Sequence, residues 1–180
     1  KHTGTIGNIG CLSFNGNKII TTGGGGVILT DNFKIAKKSK YLITQAKDDS
    51  VFFIHNEIGY NFRLTNLQAA LGIAQLESLK KYINKKKVIH QIYKTQINKI
   101  SGLKISNTPN FANCNHWLNI LEIKKKISKK KLFQIIKYLK KNKIEVRPIW
   151  YPNHLQKQFK SCQRYKLKNI NQIYIKRLCL

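Results

Sequence analysis

Three observations predict an α/β fold. Short apolar runs, GCLSF at 10–14 and VILTD at 27–31, are separated by the breaks NGNK and GGGG, the pattern of buried strands. A stripe with helical period starts at Thr65. Beyond Ser101-Gly102 the chain reads strand, helix, strand, helix, as a small layered α/β unit does. With 180 residues and 42% apolar content, there is material for one ordinary domain or parts of two, with a buried core.

Taken in order, GCLSF and VILTD are expected as strands of a buried sheet that begins upstream. Asp31 is placed to cap a helix through FKIAKKSKYL. The stretch QAKDDSVFFIHNEIGYNFRL at 45–64 has no steady period and is expected as a long loop; loops of that length in compact proteins tend to be functional. Thr65 and Gln68 have capping-box spacing, and Leu67, Leu71, Ala74, Leu76, Leu79 and Ile83 keep an apolar stripe that resumes at Ile89, Ile92, Tyr93, Ile97 and Ile100. The lysine run 85–87 between them marks an exposed segment, where a domain boundary is expected, dividing the chain into residues 1–85 and 86–180. Ser101-Gly102 ends the helix. HWLNILEI is expected as a strand, KKKLFQIIKYLKKN as a helix capped by Ser128 and ending near Asn142, IEVRPIW as a strand, and a last helix from about Gln163. The first three of these form a βαβ-like or split arrangement.

The formal charge of +27, from 34 basic against seven acidic residues, is of the kind that attracts nucleic acid or an anionic membrane. Only four of the basic residues are arginine, the side chain suited to forked phosphate and guanine contacts. Lysine, isoleucine and asparagine are raised together, as A/T-biased codon usage would do. The lysines also lie scattered, in short runs at 85–87, 124–126 and 129–131, without the interleaved aromatics of a base-stacking surface. They are expected on solvated faces, and no nucleic-acid partner is expected. Cys11, Cys114, Cys162 and Cys179 form no C-x-x-C pair, which argues against a metal or redox site and fits a reducing cytoplasm. No apolar run reaches the roughly 18 to 20 residues that span a bilayer, and the first residues do not read as a signal peptide. With no methionine anywhere, the chain is expected to be a piece of a longer one, and, with its strands lacking upstream neighbours, to be inactive on its own.

The segment that carries chemistry is SFNGNKIITTGGGG at 13–26. A lysine just past a strand and among small residues can be partly desolvated, which lowers its pKa and frees a neutral amine for a Schiff base. The glycines let the backbone turn tightly and leave room for a flat ring. Neither familiar nucleotide loop is present: there is no G-x-x-x-x-G-K-[ST], and GTIGNIG has the wrong glycine spacing for G-x-G-x-x-G.

SFNGNKIITTGGGG resembles the S-F-x-x-x-K-x-x-x-x-G-[EG]-G-G lysine segment of the DegT/DnrJ/StrS sugar aminotransferases. IGYNFRLTNLQAALGIAQLESL is similar to the same family's G-Y-N-x-R segment with its A-A-x-G-x-x-Q-L continuation, in the right order downstream. Weaker likenesses follow in NHWLNIL and IEVRPIWYPNHL, so the resemblance covers nearly the whole chain. It implies the type I fold of pyridoxal phosphate (PLP) aminotransferases: the end of the large PLP-binding domain, then most of the small C-terminal domain. Lys18 would hold PLP as a Schiff base and move the proton between cofactor and substrate carbons, and Ser13 would bind the cofactor phosphate. Asn61 would reach the phosphate in the neighbouring subunit of a homodimer. Arg63 and His154 would lie at the substrate cleft. Read without the family, Asn61 is an ordinary loop cap, Arg63 a helix-entry salt bridge and His154 a packed or surface histidine.

The implied substrates are a nucleotide-diphosphate keto-sugar and an amino donor, glutamate. Gly24 departs from the glutamate of most members, and together with HTGTIG and NHWLNIL it resembles the branch making amino sugars for legionaminic-acid-type or bacillosamine-type glycans. A non-catalytic PLP- or sugar-binding regulator, a lysine-rich nucleic-acid module and a sugar dehydratase are the rival readings. Lys18 argues against the first and also the last, since the dehydratases of this superfamily have histidine there.

Overall fold

A computed structural model describes residues 1–125 and 127–180; Lys126, the end of one lysine run, lies outside the described residues. The chain divides into two compact units, Lys1–Tyr82 and Ile83–Leu180.

In the first unit, β1 (Gly10–Ser13) and β2 (Gly26–Leu29) pair antiparallel, Gly10 opposite Leu29 and Ser13 opposite Gly26. Gly10 is the buried residue of β1, while Val27 and Ile28 of β2 are exposed, because the described residues add no third strand to the ribbon. Helix α1 (Phe33–Ile43) is capped by Asn32, not Asp31: the Asn32 side chain accepts from the Lys34 and Ile35 amides at 3.0 and 3.2 Å. The cap must stand in extended backbone one residue ahead of the first turn, and Asn32 does.

The long loop is cross-tied rather than loose. The Tyr60 and Phe62 amides donate to the Leu42 and Ile43 carbonyls at 2.7 and 3.0 Å, and the Gln45 amide donates to the Tyr60 carbonyl at 3.1 Å. Asp48 accepts from the Asn56 amide and the Tyr41 hydroxyl at 2.8 and 2.9 Å, bonds that hold its carboxyl below the usual carboxylate range. Desolvation and the bond to Asp48 push the Tyr41 hydroxyl up to about 12. Gln45 and Ala46 are both left-handed, with φ of 71° and 49°, and Ala46 is fully buried. Gly59 lies flat against this strained pair: a Cβ there would overlap the Gln45 carbonyl carbon and the Ala46 nitrogen. Because backbone cannot swing aside as a side chain does, Gly59→Ala should destabilise the chain by about 1–3 kcal/mol, read by chemical denaturation.

Helix α2 (Asn66–Glu77) starts in the expected capping box. Thr65 Oγ1 accepts from the Gln68 amide at 3.3 Å and Gln68 Oε1 from the Thr65 amide at 3.2 Å. The break between helices falls at Ser78, whose amide turns back to Gln75 and Leu76. Helix α3 (Leu79–Ile97) then runs unbroken through the 85–87 lysines, since lysine is a good helix former.

In the second unit, α3 ends and Gly102, at φ 84°, turns the chain into β3 (Leu103–Ile105), a strand not expected from the residues. Then follow β4 (Ile120–Ile123), α4 (Lys129–Lys141, capped by Ser128 as expected), β5 (Arg147–Pro148), three 3-10 turns, α5 (Ile170–Tyr174) and β6 (Arg177–Cys179). The last helix thus starts at Ile170, not near Gln163, and is followed by an unexpected strand. The expected strands 116–123 and 144–150 shrink to β4 and β5. His116 sits at φ 50°, off the extended conformation, and Pro148, lacking an amide, confines β5 to an edge. The sheet order is β3-β4-β6-β5, with every neighbouring pair antiparallel. Hence β4 and β5 run parallel with β6 between them and α4 as the crossover, the split form of βαβ. The core beneath is Ile105, Leu121, Ile123, Leu132, Ile136, Val146 and Leu178. Among the described residues no helix is long and apolar enough to cross a membrane.

Candidate functional site

Lys18 stands in the loop joining β1 to β2, which is closed at its base. The Phe14 amide donates to the Gly25 carbonyl, and the Thr22 amide to the Phe14 carbonyl, both at 3.0 Å. Within this ring the Lys18 amide donates to the Asn15 carbonyl at 3.0 Å, and Thr21 Oγ1 donates to the Phe14 carbonyl at 2.9 Å. Thr22, at 4% exposure, turns its hydroxyl to the Gly24 carbonyl. Gly23 and Gly25 both have φ of 80°, a conformation that favours glycine.

The loop rests on the start of α2 and the residues before it. A Cβ at Gly25 would stand 2.8 Å from Leu64 Cδ1, and one at Gly72 would stand 3.0 Å from the Thr22 methyl. On the other side there is room: a Cβ at Gly23 or Gly24 would meet nothing within 4 Å. Lys18 itself is half-buried.

Of the other candidate residues, Ser13 is the exposed last residue of β1, its hydroxyl accepting from the Asn15 amide at 3.3 Å. Asn61 bridges Thr44 through its backbone and is exposed, as is Arg63; the next residue, Leu64, is the one in contact with Gly25. These four positions share the first unit with Lys18. His154 belongs to the second, half-buried in a 3-10 turn, Asn153–Leu155. There it lines a cavity of about 580 Å³ with Trp150, Tyr151, Phe159, Arg164 and Tyr165. The aromatic lining was missed from the residues; its signal was the density of rings around Pro152 in a stretch without period. Beside β5, Arg147 pairs with Glu145 at 2.5 Å, and this holds the Glu145 carboxyl below its usual range. Among the described residues no three His, Cys, Asp or Glu gather as a metal ligand set.

The family model of the DegT/DnrJ/EryC1/StrS aminotransferases matches residues 1–180. The chain belongs to this family. Among its relatives, EpsN of Bacillus subtilis (strain 168) is 38% identical over 159 residues, covering 88% of this chain and 40% of EpsN. GDP-perosamine synthase of Escherichia coli O157:H7 is 34% identical over 154 residues, covering 86% of the chain and 41% of the synthase. The chain thus spans about 40% of the length of these relatives. Two solved structures are similar over nearly all of it. They are the aminotransferase TlmJ of Streptoalloteichus hindustanus (TM-score 0.86, 19% identity, 99% of this chain and 47% of that one) and PseC of Helicobacter pylori (TM-score 0.85, 21% identity, 100% and 49%). At such identities the likeness shows the fold, the α/β type I fold expected for a DegT/DnrJ/EryC1/StrS member.

Proposed function

We propose that this chain is part of a PLP-dependent aminotransferase that passes an amino group from glutamate to a keto carbon of a nucleotide-diphosphate sugar, in amino-sugar synthesis for cell-surface glycans. The observation that carries this reading is Lys18 in its closed glycine loop, within a family match that runs the length of the chain. The activity of a relative 34% identical to this chain, a GDP-perosamine synthase, supports the substrate class.

The residues present suit PLP. A primary amine is the group an aldehyde cofactor takes, a serine hydroxyl suits its phosphate, and the open space over Gly23 and Gly24 suits a flat ring. When bound, PLP supplies the electron sink for chemistry at the amino carbon. Lys18 anchors the cofactor and shuttles the proton at the substrate carbon, and Ser13 donates to the phosphate. Asn61, exposed on a segment whose backbone is tied to α1, reaches the phosphate of a second copy, so the enzyme is a homodimer with shared sites. Arg63 and His154 orient the substrate. Residues 1–85 are the end of the large domain and 86–180 the small domain, and the enzyme works in the cytoplasm, where nucleotide sugars are made.

The test supplies the enzyme with PLP, glutamate and a panel of nucleotide keto-sugars and follows amino-sugar formation. Product is expected from at least one of them, and none from any would overturn the reading. In the same assay Asn61→Ala should weaken PLP retention by about 1.5–3 kcal/mol, the worth of a hydrogen bond to a charged group, without loss of folding.

A further inference from the structure

We infer that the stacked His90–His116 pair is a proton-sensitive latch, which holds the 106–119 segment on α3 and keeps Trp117 against Trp150 in the wall of the aromatic cavity. This stands independently of the aminotransferase reading. The two imidazole rings lie 3.8 Å apart between centroids and 21° from parallel. His90 Nδ1 is 2.8 Å from Asn119 Oδ1; an amide oxygen only accepts, so Nδ1 carries the proton and donates. Asn119 is buried at 3% exposure, and its backbone is bonded both ways to Leu180, so His90 ties α3 to the root of β4. His116, half-buried at φ 50°, stands in the left-handed region, which side-chain-bearing residues enter only at particular positions, and its amide donates to Cys114 Sγ at 3.3 Å. The segment is therefore kept in place by its contacts.

Those contacts depend on charge. Neutral imidazoles stack, whereas a proton on His116 is opposed by every charged group facing it. Lys87 and Lys94 stand on α3 about a turn to either side of His90, and the two carboxylates of this unit, Glu122 and Glu145, are engaged by Arg177 and Arg147. Burial, then His90, then the two lysines push the His116 imidazole below its ordinary range. The folded protein thus binds this proton less readily than the unfolded chain. The latch is at full strength above about pH 6.5, the unfolded value, and is lost as pH falls through the depressed one. Release shifts the neighbouring Trp117, whose ring lies 6.1 Å from that of Trp150, itself part of the cavity wall.

Trp117 and Trp150 are the two tryptophans of the chain, so its indole emission reads this contact directly. The full chain is titrated from about pH 8 to pH 5, following tryptophan emission, acrylamide quenching and far-UV circular dichroism. A red shift and a rise in quenching are expected on the acid side of the ordinary histidine range, with helix content unchanged. His116→Phe keeps a stacked ring without a proton site and should lose the transition; His154→Gln, in the same cavity wall, should keep it. Imidazole NMR of the unaltered chain provides a second reading, in which His116 and the two indoles shift with one midpoint. A transition that survives His116→Phe, one that vanishes with His154→Gln, or separate midpoints for His116 and the indoles would overturn the latch.

Discussion

Lys18→Ala should abolish covalent attachment of PLP to the enzyme, seen as loss of the borohydride-trapped adduct on the peptide spanning position 18. Transamination should fall by at least about 10²–10⁴-fold, the cost of losing positioned proton transfer alone. The physical reason is position as much as chemistry. The chain carries many lysines, but Lys18 is the one inside the ring closed by Phe14, Thr22 and Gly25. Lys18→Arg separates charge from nucleophilicity: a guanidinium keeps the cation but is not deprotonated in proteins, so this variant should fail as well. Retained turnover in Lys18→Arg would reduce the lysine to an electrostatic role. Circular dichroism should be unchanged in both, since the ring is held by backbone bonds and threonine hydroxyls.

Leu178→Ala should cost the second unit about 2–5 kcal/mol, the range for emptying a buried leucine site. Leu178 is fully buried on β6, an inner strand of the sheet, opposite Leu121 on one side and Pro148 on the other. That loss is a large share of the roughly 5–15 kcal/mol by which a domain is stable. Urea unfolding followed by tryptophan emission reports it cleanly, both tryptophans lying in this unit. An unchanged midpoint would take β6 out of the core.

What could be read from the residues was what is decided locally. The Thr65–Gln68 box and the Ser128 cap need only neighbours three residues apart, and both were found. β3 and β6 were missed because each has three residues, too few for a period, and β6 also because its pairing partners are remote, as with Ile120 opposite Cys179. GCLSF and VILTD were legible as strands, but which strands would cover their apolar faces is not written in the two runs themselves. Lys18 was singled out by the resemblance of its segment to the family's lysine motif, since a lysine beside glycines is by itself a weak pattern. The aromatic cavity around His154 was not, since its walls come from irregular backbone between 150 and 170 that repeats with no helical or strand period.

The insertion of β6 between β4 and β5 also sets an order of events. Both flanking strands precede it in the chain, yet the slot between them is filled only when residues 177–179 arrive. As the ribosome delivers the chain from its N-terminus, the β1–β2 ribbon and the β3–β4 pair can close early, from partners near in sequence, while the split motif waits with its middle slot empty. During that wait Leu121 and Val146, buried in the finished sheet, are open to water and to other chains. Until β6 is made these side chains remain open to aggregation, and a holding chaperone would matter most in that interval.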